Sequence, residues 1–191
     1  MHPLRVIIRR FDRWLSRQYR VQEFTADPTV IMRIQVGKAP HDLALPEGTV
    51  PAGAKVLFLH MWNDRAPLIP EQGPDLAWAL HSRRLMHHSL SAVAEHIKKE
   101  PSLKDIQAVG GITAHITLAA ADGGRAMLNH LGFAVFPYYR PAGAFGEFWE
   151  NFYTWWLMWT YNPASTKGRS LWGLQRTEFW MTAKTFLEKY G

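Results

Sequence analysis

A chain of 191 residues is one domain by size and long enough to bury a core. With 47% hydrophobic and 20% charged residues it is not a disordered chain, and without cysteine it cannot use disulfides, zinc–thiolate sites, iron–sulfur clusters or a thiol nucleophile. The net charge of +6 calls for an anionic partner, and the nine tryptophans exceed what an ordinary core requires.

Residues 1–20 hold six arginines against a single Asp12, a balance of +5, so most of the net charge sits at the start of the chain. Leu4, Ile7, Ile8, Phe11, Trp14 and Leu15 recur at the helical period, with arginines between them. This predicts a basic amphipathic helix that lies on an anionic membrane surface, with Arg9, Arg10, Arg13 and Trp14 as its contacts. The same stripe also suits a terminal helix packed on the domain with a solvated arginine face. Arginines interrupt every apolar stretch, which argues against a secretory signal, and no transmembrane helix is expected. The expected location is therefore cytoplasmic, peripheral to the inner face of the membrane.

Residues 21–59 read as strands: Thr29–Val36 is β-branched and partly alternating, Pro40–Gly53 carries turn residues, and Lys55–Trp62 is a buried-strand run. Residues 63–74 read as a loop. Asp75 is a good cap for a helix running to Lys99. Ile106–His115 reads as a strand, Asp122–His130 as a short helix and Phe133–Phe136 as a final strand. The adjacent His87 and His88 cannot share one helix face, so one buried and one exposed is expected. Strands, long helix, strand, short helix and strand make a mixed α/β sheet covered by helices.

Phe145–Tyr161 is crowded with aromatics, and its polar residues Glu147, Glu150, Asn151 and Thr154 form one narrow stripe. A helix so apolar is buried or lies in lipid, and packing against the sheet is the expected outcome. Asn162–Pro163 stops it, and Lys167, Arg169 and Arg176 follow as a second basic patch.

The strand 55–62, the helix 75–99, the strand 106–115 and above all Ala126–Phe133, with its Leu131-Gly132-Phe133, resemble the GCN5-related N-acetyltransferase (GNAT) superfamily in a degenerate form. Leu57–Asp64 is also similar to the YkoP-like domain, a GNAT-like branch. The likeness covers residues 25–140. It implies a GNAT-like α/β core over 21–140, between the basic helix of 1–20 and an aromatic helical extension over 141–191 of the same domain. It also implies an acyl thioester donor, from acyl-CoA or an acyl carrier protein, and acyl transfer to a lipid or amine. The family's phosphate loop opens the long helix with glycines, whereas Arg84–Ser89 has none, and the position where many members carry an acidic tyrosine is Leu128. Arg83, Arg84 and His87 are then the candidate donor-binding residues, and Arg83, Arg84, Lys98 and Lys99 could face an acidic carrier protein. His60 at the strand end, with Asp64 and His115, is the candidate acid–base group, because an ordinary imidazole pKa of about 6.5 suits that role. The lost glycines equally suit a non-catalytic module that binds a lipid or a partner. Nucleic-acid binding fits the charge, but no aromatic-studded nucleic-acid motif accompanies it.

Overall fold

The computed structural model describes residues 3–116, 123–139, 143–167 and 174–191. The chain begins with α1 (Pro3–Gln18), then β1 (Met32–Lys38), a small hairpin of β2 (Leu43–Leu45) and β3 (Gly48–Val50), and β4 (Lys55–Met61). Next come α2 (Leu76–Lys99), β5 (Ala108–Ile116), α3 (Gly123–His130), β6 (Ala134–Pro137), α4 (Gly143–Tyr161), β7 (Leu174–Thr182) and α5 (Ala183–Tyr190). Five strands form one mixed sheet in the order β1-β4-β5-β7-β6. Among the described strands only β4 and β5 pair in parallel, and α2 supplies the long crossover that a parallel pair needs.

The sheet's two sides differ in kind because side chains alternate along each strand. Ile34, Leu57, Leu59, Val109, Phe179 and Met181 point to one side. They pack on Leu90, Val93 and Ile97 of α2, Leu128 of α3 and Phe186 of α5, as one apolar cluster. Each such side chain contributes about 1.5–3 kcal/mol by leaving water, so this side carries most of the fold's stability. The alternate residues, Arg33, Gln35, His60, Arg176 and Glu178, point to the other side, where charges are buried among apolar residues. There the β2–β3 hairpin closes a smaller cluster around Trp180, and α1 and α4 pack together.

Local signals were good guides within the elements. Asp75 accepts the Trp78 amide at 2.7 Å and caps α2, and α4 ends at Tyr161 before Asn162–Pro163. Gly132, at φ +90, turns the chain out of α3, burying Leu131 and Phe133 on either side of it. Gly110 is required for a different reason: a Cβ there would lie 2.0 Å from the Phe179 carbonyl oxygen of β7.

Three expectations are corrected. Pro40–Gly53 is more than a turn, since it contains the β2–β3 hairpin. The strand at 134–137 is not the last, because β7 inserts between it and β5 and α5 follows. The residues Leu174–Thr182 carry Arg176 and Glu178 at alternate positions, so they resemble a surface segment until partners for those charges are known. His87 and His88 are both exposed, because α2 presents Ser89, Leu90 and Val93 to the sheet instead.

Candidate functional site

The polar side of the sheet is built around buried charges. Glu178 is 1% exposed and accepts hydrogen bonds from His41 Nε2 at 2.9 Å, from the Tyr139 amide at 2.8 Å and from Trp180 Nε1 at 3.2 Å. The other ring nitrogen of His41 donates to the Asp42 carbonyl at 2.9 Å, so acceptors face both nitrogens and favour the imidazolium. Burial opposes that charge most strongly, but the bonds to Asp42 and Glu178 outweigh it and raise the His41 pKa. Nearby, Arg176 binds Glu150 at 3.0 Å, Asn151 at 2.9 Å and Thr154 at 3.1 Å. Tyr138 donates to the same Glu150 at 3.0 Å, and burial followed by that bond pushes its hydroxyl up to about 12.

Glu150, Asn151 and Thr154 belong to the polar stripe visible in the α4 sequence, and Arg176 is what turns that stripe inward. The aromatic face then points outward. Phe145 is 76% exposed and Trp149 51%, with Phe148 and Trp156 also exposed. Phe148, Trp149, Phe152 and Trp156 contact one another ring to ring along this face, Phe148 and Phe152 stacked and Trp149 edge-on to both.

The first helix is inverted in the same way. Asp12 is buried and accepts from Tyr153 at 2.9 Å and Tyr161 at 3.2 Å, both on α4. Burial, and next the Asp12 charge, raise both tyrosine pKa values. Arg9 lies over the Tyr161 ring and Arg5 over Trp159. With Arg5, Arg9 and Asp12 turned inward beside Ile8, the residues Leu4, Ile7, Phe11 and Trp14 are left in solvent. Ile7 is 63% exposed and Trp14 53%. Phe11 also meets Tyr153 edge-on at 5.8 Å, so the outward stripe of α1 adjoins α4. Arg10, Arg13 and Arg17 stand exposed among these apolar residues.

His60 lies on the polar side of the sheet, directly across from Arg33. Its Nε2 donates to Gln35 Oε1 at 2.8 Å, leaving Nδ1 as the unprotonated nitrogen. Burial, and then repulsion from Arg33, push its pKa down to about 4, so it is neutral at physiological pH. Asp64 sits just past β4 and lines a cleft of ≈ 360 Å³ with Arg13, Ser16, Arg17, Glu23 and Arg33. Among the described residues no hydrogen bond joins Asp64 to His60. His115 pairs in register with Gln175 of β7, and its side chain lies outside the described residues.

The candidate donor-binding residues are elsewhere. Arg83, Arg84 and His87 are exposed on α2, which packs on the apolar side of the sheet, opposite His60. His87 rests edge-on against Tyr190. Lys98 and Lys99 are engaged by Glu95 on the same helix. Leu128 is a core residue at 7% exposure. Of the membrane-facing candidates, Arg10, Arg13 and Trp14 are exposed, whereas Arg9 is half-buried against Tyr161. Of the second basic patch, Arg176 is internal and Arg169 lies outside the described residues.

Sequence reading missed Arg33, His41, Asp12 and Glu178 as members of a site. None carries a local mark of burial, and the partners lie far along the chain, up to 149 residues away for Asp12 and Tyr161. Among the described residues, no group of three or more histidines and carboxylates could hold a metal ion, and no helix is long and apolar enough to cross a membrane.

The family model of the YkoP domain matches residues 4–190, so the chain belongs to the YkoP domain family. No curated protein and no solved structure matches it.

Proposed function

We propose that this YkoP-domain protein works at the surface of an anionic membrane, seated on it through the outward faces of α1 and α4. The observation that carries this reading is the inversion of both helices. Asp12 of α1 and Glu150, Asn151 and Thr154 of α4 are turned in to partners, and Leu4, Ile7, Phe11, Trp14, Phe145 and Trp149 are turned out. Leaving large aromatic rings in water forfeits about 1.5–3 kcal/mol for each that a hydrocarbon environment would recover, and contiguous apolar surface of this kind marks a binding face. Trp and Phe on one stripe with arginines beside it match a helix lying at the head-group boundary. The exposed Arg10, Arg13 and Arg17 favour anionic lipid over a second copy of the chain, because two such faces would repel.

The test is binding to vesicles of phosphatidylglycerol and phosphatidylcholine. A variant carrying Phe11→Ser, Trp14→Ser, Phe145→Ser and Trp149→Ser should lose at least about tenfold in affinity, since each buried ring contributes about 1.5 kcal/mol or more. Unchanged binding would remove the reading. Truncating residues 1–18 is a poorer test, because it would leave Tyr153 and Tyr161 without Asp12.

A second reading, acyl transfer, rests on one observation: Nδ1 of His60 is unprotonated and free of partners among the described residues, while the pKa of about 4 makes it a weaker base than an ordinary imidazole. In this reading the sheet is a degenerate GNAT-like core. Nδ1 takes the proton of an amine or hydroxyl as that group attacks the thioester carbonyl of an acyl-CoA or acyl-carrier-protein donor, and the thiolate leaves. The separation of His60 from Arg83, Arg84 and His87 requires the donor to be held by other residues. His60→Gln should then abolish turnover with a melt close to that of the wild type. Retained turnover, or no turnover by the wild type with any thioester, would leave only the membrane-binding module.

A further inference from the structure

The cleft beside α1 contains an arginine whose charge the fold leaves unanswered. Arg33 is only 8% exposed. Among the described residues its single hydrogen bond is to the neutral Ser16 hydroxyl at 3.1 Å, no carboxylate pairs with it, and its Nε is buried without a partner. A guanidinium has five N–H donors and is costly to bury unless they are met. His60, across the strand pair, is neutral and brings no negative charge to Arg33.

The rest of the cleft says what would complete it. Arg13 and Arg17, both exposed, stand on the α1 wall, and Glu23 and Asp64 contribute carboxylates to the lining. Three guanidinium groups against two carboxylates leave one positive charge, and the ≈ 360 Å³ of space exceeds what a bare ion needs. Arginine forks suit the oxygens of a phosphate, and carboxylates accept from hydroxyl groups. Arg13 and Arg17 also flank Trp14, whose ring is in the outward stripe of the same helix.

We propose that this cleft binds a phosphate ester bearing a hydroxylated group, namely the head group of an anionic phospholipid. Arg33 meets the phosphate at the buried end, Arg13 and Arg17 hold it from α1, and Glu23 and Asp64 accept from its hydroxyls. The lipid as source rests on the membrane reading above, whereas the phosphate site itself does not.

The two can be tested apart by titrating the full chain in solution, calorimetrically, with glycerol 3-phosphate, inorganic phosphate and dihexanoyl phosphatidylglycerol below its micelle concentration. Saturable binding of the short-chain lipid is expected, at least about tenfold tighter than that of inorganic phosphate, as one extra pair of charge-assisted bonds would give. Arg33→Gln should weaken it by at least about tenfold. The exposed pair Arg13→Ala with Arg17→Ala should weaken it severalfold, which keeps the site testable if Arg33→Gln does not fold. Phe11→Ser with Trp14→Ser should lower vesicle affinity but leave soluble binding intact. No saturable binding by the wild type, or equal affinity in the arginine variants, overturns the site. Binding of glycerol 3-phosphate at least about tenfold tighter than of the short-chain lipid, whose phosphate is a diester, overturns the lipid source and assigns the cleft to a soluble phosphate monoester.

Discussion

The two sides of the central sheet solve opposite problems. Toward α2 and α5, apolar residues meet apolar residues, and the helices keep their polar faces in water. Toward α1 and α4, Arg33 and Arg176 meet polar helix faces, Glu178 is held by His41 and Trp180, and the helices put aromatic residues in water. Stability is concentrated on the first side. The second side gives up some of it, since polar burial only breaks even when every partner is in place, and it leaves large apolar side chains exposed.

Breaking the first side should have the largest effect. Leu90 is fully buried between α2 and the sheet, so Leu90→Ala should cost about 2–5 kcal/mol in a urea titration. A loss under 1 kcal/mol would mean that the polar side carries most of the fold's stability.

The polar side should betray itself through pH. His60 binds its proton less tightly folded than unfolded, so stability should fall as the pH drops from about 6.5 toward 4, by about 3 kcal/mol. His60→Gln should flatten that acid limb. His41 binds its proton more tightly folded than unfolded, so its contribution is complete below its unfolded pKa of about 6.5 and disappears as the pH rises through the higher folded value. His41→Gln should therefore flatten the alkaline limb only. Melting curves from pH 4 to 9 that showed both limbs unchanged would rule out these two histidines as the titrating groups.

The smallest effect should come from the outward rings. Phe145→Ser with Trp149→Ser should move stability by no more than about 0.5 kcal/mol per site, because both side chains are exposed already. A larger loss would show that α4 is covered in the free protein.

Much of this architecture was legible in the chain. The helical period of Leu4 to Leu15, the Asp75 cap and the Asn162–Pro163 stop all act within a few residues, and the elements formed where they pointed. The polar stripe of α4 was equally plain, yet it argued for a helix packed by its apolar face. The opposite packing depends on Arg176, which is 25 residues from Asn151 and whose strand was not anticipated. His60 was found because it ends an apolar run. Arg33 was not, since a lone arginine in a strand carries no local mark of burial.

By itself, then, the sequence determined the periods, the caps, the polar stripe and the concentration of charge in the first twenty residues, since these are short-range properties of neighbouring side chains. Which face of α1 and α4 looks outward was decided only in three dimensions. Asp12 needs Tyr153 and Tyr161, and Glu150 needs Arg176, and buried polar groups outrank exposed apolar ones when a helix face must choose, because an unpaired charge out of water costs more than an aromatic ring left in it.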